Sequence, residues 1–412
     1  MGLNAEHKPM MLSNRASFLV AGFCIAAWAP MIPFVKERFG LDEHNLGLLL
    51  LCVGIGSFVS MPTSGYFSSK FGCRTPIYIS AFVVALCLIC IPFIDNIYLL
   101  GVVLFCMGIS AVALDVISNI NAALVEHVAN RNVMSGLHGL YSVGGFLGAT
   151  SVTFLLSLGM PLHWAGFYAA IVIVALILLG GRHLFTTVYV DEIDGKEKPE
   201  AKTESATEAP KKESHLKYYL HPTVLLIGLM CFIMFMTEGS MLDWSGVFLR
   251  MERGVSLEHA GYGYAAFAIA MTTCRLLGDI IVTRFGRGRI IFLGTLCIAA
   301  GFCVAVFIPS LFTALLGFAL IGVGASNVVP QLVSISAKLD DVPTHIAVTI
   351  VNAVGFSGVL IGPALIGFLA HAITLPYTYL CQAAAVLCVT VMSYLLLKSL
   401  KKKMPDVVSA QK

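Results

Sequence analysis

Apolar stretches of about twenty residues recur along the whole chain, interrupted by short segments that carry Gly, Pro and charge. A helix needs about 20 mostly apolar residues to cross the roughly 30 Å hydrocarbon core of a bilayer. Of the 412 residues, 58% are hydrophobic and 12% are charged, whereas soluble domains have about a quarter charged residues. The pattern predicts an all-α integral membrane protein and excludes a soluble core. The predicted spans are 16–35, 46–67, 77–93, 98–122, 134–158, 163–184, 224–249, 261–282, 290–307, 312–335, 346–369 and 375–397.

A polar segment lies midway along the chain, between the sixth and seventh predicted spans. It mixes acidic and basic residues and carries almost no large apolar side chains. Such a composition cannot bury enough apolar surface to fold, and it indicates a solvated linker. We therefore predict an N-terminal six-helix bundle at 1–189, a cytoplasmic linker at 190–220 and a C-terminal six-helix bundle at 221–412.

Lysine and arginine predict the orientation, because they are retained on the cytoplasmic side during membrane insertion. With both termini in the cytoplasm, the linker and the lysines at 401–403 are cytoplasmic as well. The cations that then lie outside the cell are Lys36, Arg38, Arg250 and Arg253, while Arg275 falls within a span. The opposite orientation would reverse this bias, so we expect a multi-pass protein of the inner membrane with both termini in the cytoplasm.

The two halves of the chain repeat each other at one fixed offset. The offset that carries position 34 to position 248 aligns FVKERFG at 34–40 with FLRMERG at 248–254. The same offset pairs Gly47 with Gly261, Lys70 with Arg284, Gly72 with Gly286, Gly108 with Gly322, and Gly148 with Gly362. Because each half has an even number of spans, the halves are parallel repeats about an axis along the membrane normal. The solute path is expected between them.

The loops after the second and eighth spans carry a common motif. The first reads GYFSSKFGCR at 65–74, and the second reads GDIIVTRFGR at 278–287. Both resemble the loop signature G-x-x-x-D-R-x-G-R of the major facilitator superfamily, with Ser69 and Thr283 in place of its acid. The resemblance implies twelve transmembrane helices in two six-helix bundles related by a pseudo-two-fold axis along the membrane normal. The gating residues that it implies are Gly65, Lys70, Gly72, Arg74, Arg284 and Gly286.

Two further segments narrow the resemblance to a subgroup. TEGSMLDWS at 237–245 and DVISN at 115–119 look like the bacterial MosC-like and YbjJ-like carriers, which are distantly similar to fucose permease. Motifs shared by a superfamily identify the transport machinery rather than its solute. The subgroup therefore implies a carrier without naming what it carries.

Three carboxylates lie inside predicted spans: Asp115, Glu238 and Asp243. A charged side chain at the bilayer centre costs roughly 2.5–3.5 kcal/mol on insertion scales, so these residues face a cavity or a partner. Low dielectric favours a protonated carboxyl, which suits proton coupling. Glu238 is the first candidate because it lies deeper than Asp243, which stands beside Trp244 and alternatively marks the membrane boundary. Asp115 shares a helix face with Asn119.

Polar and aromatic side chains of the fifth and first spans extend the candidate site. His138 and Tyr141 are three residues apart and share one helix face. His138 is a candidate to relay a proton with Asp115, and the alternative is a packed histidine that only forms hydrogen bonds. Trp28 is a candidate to stack on a ring of the solute, with ordinary aromatic packing as the alternative.

The second half supplies amides and a further charged pair. Asn327, Gln331 and Asn352 either line the solute path or act as structural hydrogen-bonding groups between helices. Arg275 precedes Asp279 by four residues, so the two are expected to pair on one helix face as a structural or gating bridge.

These features favour proton-coupled transport of a small polar or amphipathic solute by alternating access. The alternatives are an exporter or exchanger of amphipathic compounds, and a membrane receptor that has kept a transporter fold. No G-x-x-x-x-G-K-[ST] phosphate loop occurs, so we expect neither ATP-driven transport nor enzymatic activity. We expect no cofactor besides a proton gradient, no metal site and no nucleic-acid partner, with the bilayer and a small-molecule solute as partners of a monomer.

Overall fold

The computed structural model describes residues 8–129, 134–186, 221–339 and 341–403, which fold almost entirely into α-helices. The helices of the first half are α1 (Lys8–Trp28), α2 (Ile32–Arg38), α3 (Glu43–Phe71), α4 (Arg74–Cys90), α5 (Ile97–Ala129), α6 (Met134–Ser157) and α7 (Leu162–Gly180). Those of the second half are α8 (Pro222–Arg253), α9 (Leu257–Ala260), α10 (Tyr262–Leu276), α11 (Gly278–Phe285), α12 (Arg287–Phe307), α13 (Leu311–Ala325), α14 (Val328–Ser336), α15 (Thr344–Ile373) and α16 (Leu375–Lys403). The predicted linker at 190–220 lies outside the described residues.

Eleven segments of the described ranges are long and apolar enough to cross a membrane. The twelfth pass is the predicted span at 261–282, which is divided into α10 and α11 at Leu277 and therefore has no single helix of that length. The predicted span at 312–335 is likewise divided, into α13 and α14 at Ser326 and Asn327. The described helices thus make six passes in each half, and the predicted two-bundle fold is confirmed.

The backbone geometry reproduces the sequence repeat. Gly40 and Gly254 end the first pass of their halves with φ of 59° and 63°, and Gly72 and Gly286 end the second with φ of 71° and 78°. A positive φ is a conformation that glycine adopts without steric cost. These glycines are the pairs that the sequence offset aligns, so the offset relates equivalent turns of the two halves.

Helix packing follows the same repeat. A Cβ added at Gly108 would lie 2.0 Å from the carbonyl oxygen of Val53, and one added at Gly322 would lie 2.4 Å from that of Phe267. The offset that relates Gly108 to Gly322 also relates Val53 to Phe267. Close approach of α3 to α5 in the first half is therefore matched by that of α10 to α13 in the second.

An arginine caps the third pass of each half. The Arg38 guanidinium donates to the carbonyl oxygens of Ile91 and Ile94 at 2.9 and 2.7 Å. The Arg253 guanidinium donates to the carbonyl oxygens of Ala305 and Val306. The last carbonyl groups of a helix have no intrahelical partner, and a cation there also interacts favourably with the helix dipole.

The two halves meet along two pairs of helices, α3 with α15 and α6 with α10. Gly47 of α3 lies against the backbone of Pro363 and Gly367, where a Cβ would meet the Pro363 carbonyl oxygen at 3.0 Å. Across the second pair, Thr272 donates its hydroxyl to the carbonyl oxygen of Ser142 at 3.2 Å. These contacts lie along the predicted boundary between the bundles.

We call the end of the bundle that carries α2, residues 37–43 and residues 250–261 the α2 end. Here Arg250 Nη2 lies 2.7 Å from Glu37 Oε1, and His371 Nδ1 lies 3.8 Å from Asp42 Oδ2. Each pair joins the first half to the second. The halves are therefore in contact at the α2 end.

We call the opposite end, which carries residues 65–74 and 278–287, the signature end. The described contacts of its cations are with neighbouring aromatic rings: Lys70 with Tyr66 and Phe71, Arg74 with Tyr78, and Arg284 with Phe285. Each of these contacts lies within one half. The gating role that the resemblance implies for this end stays a prediction.

Candidate functional site

A half-buried ion pair joins α8 to α10 in the second half. Arg275 Nη2 lies 3.6 Å from Glu238 Oε1, and the two side chains are 30% and 18% exposed. Glu238 Oε1 has no hydrogen-bond partner among the described residues. An isolated charge is costly inside a bilayer. Pairing Glu238 with Arg275 lowers this cost, because each charge neutralises the other. Since the pair is longer than a hydrogen bond, both groups keep unused bonding capacity.

Two interrupted helices meet beside this pair. Arg275 Nε donates to the carbonyl oxygen of Ser326 at 3.3 Å, and Asn327 Nδ2 donates to that of Cys274 at 3.0 Å. Each side chain thus binds backbone next to the interruption of the other helix, where carbonyl groups lose intrahelical partners. Gly278 leaves room for this contact, because an added Cβ would meet Asn327 Oδ1. The crossing fixes the position of Arg275.

Arg275 has a described acidic partner that the sequence spacing does not name. An i, i+4 pair with Asp279 requires one continuous helix. The helix is interrupted at Leu277, between the two residues. The side chain of Asp279 lies outside the described part of the chain, and the described acidic partner of Arg275 is Glu238 on another helix.

The first half contributes Asp115 and Asn119, which lie one turn apart on α5. Asn119 Nδ2 donates to Asp115 Oδ1 at 3.1 Å and to the Asp115 carbonyl oxygen at 2.9 Å. Both side chains are half-buried. The predicted shared face is therefore a direct contact, in which the amide orients a carboxylate that still has acceptor capacity.

Two tyrosines interact electrostatically with the charged groups of the candidate site. Tyr141 on α6 is within electrostatic range of Asp115 and Arg275. Tyr264 on α10 is within electrostatic range of Glu238 and Arg275. Because α6 and α10 pack against each other, the acids and the guanidinium of both halves share one electrostatic environment.

Tyr264 is a site residue that the sequence analysis missed. Positions 264 and 275 are about three helical turns apart and therefore face the same side of α10. The same spacing is available from sequence, but it identifies a site residue only once Arg275 is known to lie beside Glu238.

His138 and Trp28 are less central than the charged groups. The His138 ring lies edge-on to Phe18 with centroids 5.5 Å apart, and it is within electrostatic range of Arg275. A contact with Asp115, as the relay hypothesis requires, is not among its described interactions. Trp28 is 2% exposed and belongs to the hydrophobic core. Ordinary packing accounts for Trp28, although its indole N–H has no partner among the described residues.

The predicted amides of the second half lie at the start of α14, within α14 and on α15. Asn327 is buried and makes the structural contact with Cys274 described above. Gln331 is buried one turn later on α14, and Asn352 is half-buried on α15. Asp243 is buried on α8, on the side of Glu238 toward the α2 end.

Comparison with known proteins decides the family. The sequence profile described as Major Facilitator Superfamily matches residues 16–345 and 266–412. The chain belongs to the major facilitator superfamily. Its relatives in this superfamily include an uncharacterized MFS-type transporter of Yersinia pestis, 40% identical over 92% of this chain and 93% of the relative. The membrane protein MosC of Rhizobium meliloti is 31% identical over 87% of this chain and 83% of the relative, which confirms the resemblance to MosC-like carriers.

Solved structures of other major facilitators share the fold. The nucleoside transporter NupG superposes with a TM-score of 0.70 and 13% sequence identity, covering 95% of this chain and 99% of that protein. The D-xylose-proton symporter superposes with a TM-score of 0.68 and 18% identity, covering 93% and 96%. At this coverage the superpositions extend over both halves of this chain.

Proposed function

We propose that this major facilitator is a secondary active transporter that moves a small polar or amphipathic solute by alternating access, coupled to protons. The observation that carries the proposal is the ion pair between Glu238 and Arg275. It is half-buried, it is longer than a hydrogen bond, and the Glu238 Oε1 atom has no hydrogen-bond partner among the described residues.

Protonation and solute binding compete for the same pair. A proton on Glu238 removes the counter-ion of Arg275, whose guanidinium then presents free donors to a hydrogen-bond acceptor of the solute. A solute that binds Arg275 in turn makes Glu238 easier to protonate, because the positive neighbour is engaged elsewhere. Binding of proton and solute is therefore mutually favourable, and such coupling is reciprocal by linkage.

Alternating access requires a site that contacts both halves. Asp115 and Asn119 belong to the first half, Glu238 and Arg275 belong to the second, and Tyr141 lies within electrostatic range of both sets. A solute held between the halves makes different contacts in the inward-facing and outward-facing conformations. A ligand shifts a conformational equilibrium only through such differences in contact between the two states. The site location thus supports transport by movement of one bundle against the other.

The orientation of the transporter is proposed from its cations. We place the protein in the inner membrane, with both termini and the signature end facing the cytoplasm and the α2 end facing outward. The reason is that lysine and arginine concentrate on the side of the termini and the signature end. In this orientation the contacts of Glu37 with Arg250 and of Asp42 with His371 close the outer end. The protein acts as a monomer, with the proton gradient as its energy source.

A library of metabolites and drugs screened for thermal stabilisation of the purified protein tests the proposal. A ligand that binds only the folded state stabilises it in proportion to the logarithm of its concentration over Kd. We expect a ligand whose effect is lost in Glu238→Gln and in Asp115→Asn but kept in Asp341→Asn, which neutralises an exposed acid in a loop. A ligand that keeps its full effect in both site variants would refute the site.

The ligand so found is then tested for flux in proteoliposomes with an imposed pH gradient. Flux that follows the gradient in the parent protein and not in Glu238→Gln supports proton coupling. Its direction separates uptake from export. Binding without flux in either direction would favour the receptor alternative and refute transport.

A further inference from the structure

At the α2 end, a histidine of the second half lies beside an aspartate of the first. His371 Nδ1 lies 3.8 Å from Asp42 Oδ2, and the two side chains are 56% and 43% exposed. His371 lies in the last turn of α15, and Asp42 is the N-terminal cap of α3. Since α3 and α15 belong to different halves, this contact is made only while the halves meet at the α2 end.

The Asp42 carboxylate stays charged, so the state of the pair depends on His371. Asp42 accepts a hydrogen bond from the Asn45 N–H at 2.8 Å, and this bond holds the pKa of Asp42 below its ordinary value of 3.8. Histidine is the side chain that ordinarily changes charge between about pH 5 and 8. Each charge also suits its own helix end, because helix dipoles favour an anion at the first turn and a cation at the last.

A second imidazole lies next to the pair. The ring of His44, on α3, has its centroid 5.9 Å from that of His371. His44 and Asp42 belong to the same half, so separation of the halves leaves their attraction unchanged. A charge on His44 repels a charged His371 only when the halves meet. His44 therefore opposes closure by the pair instead of contributing to it.

Two further ion pairs hold charges near this contact. Lys36 Nζ lies 3.1 Å from Glu43 Oε1 within the first half, and Glu252 of α8 is within electrostatic range of Glu43. Glu37 and Arg250 join the halves as His371 and Asp42 do, at 2.7 Å. Glutamate and arginine ordinarily stay charged between about pH 5 and 8. The contact of Glu37 with Arg250 is thus a matched pair without a histidine.

The histidine contact is not part of the internal repeat. The offset that relates the halves carries Asp42 to Ser256 and His371 to Ser157, and neither serine titrates. At the equivalent contact of the halves, Gly261 packs against Thr153 of α6. The asymmetry confines a histidine pair between the halves to the contact of α3 with α15.

We propose that His371 and Asp42 form a pH-sensitive latch, which holds the α2 end closed when His371 is protonated. The closed arrangement then binds a proton more tightly than the open one, and by linkage the proton favours closure. The shift equals the ratio of the two proton affinities, and an exposed ion pair corresponds to a factor of roughly 1.5 to 5. The latch does not use Glu238 or Arg275. With the α2 end outside, as proposed above, it responds to external pH.

Hydrogen–deuterium exchange of the purified full-length protein, followed by mass spectrometry, tests the latch. Exchange of residues 37–43 and 250–261 is compared at about pH 5.5 and about pH 8, after correction for the pH dependence of exchange in unstructured peptides. Where exchange requires opening, its rate follows the open fraction. We expect both segments to exchange roughly 1.5 to 5 times more slowly at the acidic pH. The segment 250–261 includes Gly261, so its response separates closure of the whole end from a local ion pair.

Charge variants of the latch determine which group responds. His371→Gln is expected to show the faster exchange at both pH values, and His371→Lys, which carries a charge at both, the slower exchange. Asp42→Asn keeps a capping oxygen and is expected to behave as His371→Gln. Glu37→Gln removes a pair without histidine, so exchange accelerates equally at both pH values. His44→Gln is expected to enlarge the difference between the two pH values.

Two results would overturn the latch: equal corrected exchange of the parent at both pH values, or a pH difference that persists in His371→Gln. Glu238→Gln separates the latch from the proposed proton coupling, and we expect it to keep the pH difference. Loss of the difference in Glu238→Gln with retention in His371→Gln would assign the response to the ion-pair site and overturn the latch. If His371→Gln abolishes the difference but the parent shows no proton-driven flux, the coupling fails and the latch stands.

Discussion

The strength of the Glu238–Arg275 pair can be compared with that of a shorter pair at the α2 end. Two unit charges 3.6 Å apart attract by roughly 5 kcal/mol at an effective dielectric constant of about 20. Part of this attraction offsets the desolvation of both groups. We therefore expect a coupling energy of about 2–3 kcal/mol between Glu238→Gln and Arg275→Gln in a double-mutant cycle.

The matched control is the pair of Glu37 and Arg250, whose charged atoms are closer, at 2.7 Å, but whose side chains are 46% and 39% exposed. Solvent screens such a pair, and measured exposed pairs contribute about 0.2–1 kcal/mol. The prediction is that the longer, less exposed pair of Glu238 and Arg275 couples more strongly than the shorter, more exposed pair of Glu37 and Arg250. Burial rather than distance then decides the energy.

The assay is equilibrium unfolding of the four single variants and two double variants in mixed micelles, titrated with SDS and followed by tryptophan fluorescence. Trp28 and Trp244 are buried and report on both halves. In the pair of Glu238 and Arg275 we expect the double variant to recover most of the stability that each single variant loses. Additive losses at Glu238 and Arg275, or a stronger coupling at Glu37 and Arg250, would refute the reasoning.

Two further predictions concern packing and capping. Gly108→Ala is expected to destabilise the fold by about 1–3 kcal/mol, because its Cβ would lie 2.0 Å from the Val53 carbonyl oxygen. The control is Gly65→Ala, which has no atom within 4 Å of its Cβ and gains helix propensity of up to about 1 kcal/mol. Unfolding midpoints in the same micelles that fall equally for both would contradict this. Asp42 caps α3 by accepting from the Asn45 N–H at 2.8 Å, so Asp42→Ala is expected to cost about 1 kcal/mol and Asp42→Asn, which keeps a capping oxygen, much less. That hydrogen bond from the Asn45 N–H lowers the pKa of Asp42 below its ordinary value of 3.8. The stabilisation is therefore complete above that value and is lost as the pH falls through the lowered pKa. A pH titration of the unfolding midpoint that shows no difference at acidic pH between Asp42→Asn and the parent would refute this assignment.

The sequence repeat predicted the arrangement of the halves because it reports contacts that recur. Gly108 and Gly322 can only be glycine where a neighbouring carbonyl approaches so closely, and the turn glycines are fixed by their positive φ. Such constraints restrict the residue type at single positions, so the glycines can be recognised in the sequence. The hydrogen bond between Asn119 and Asp115 was predictable for the same reason, since it lies within one turn of one helix.

The interrupted helices could not be predicted in this way. Gly278 beside Leu277 weakens a helix, but an isolated glycine inside a helical pattern is tolerated. The interruption is supported by Asn327, which reaches across to the Cys274 carbonyl. The interaction of Arg275 with Glu238 depends on this tertiary contact, as does the place of Tyr264. The Asp115 and Glu238 candidates came from the cost of charge in a bilayer, but their partners depend on how the helices pack.

The two arginine caps bind equivalent carbonyl groups in the two halves although they occupy different sequence positions. The sequence offset aligns Arg38 with Glu252 and places Phe39 opposite Arg253, so the cation has moved by one position along the chain. Its target has not moved, because Ile91 and Ala305 remain equivalent under the offset. A long side chain reaches the same carbonyl group from either of two neighbouring positions. The two halves therefore share the place that this charge occupies in space, and a column-by-column alignment of the halves would record the arginine as lost.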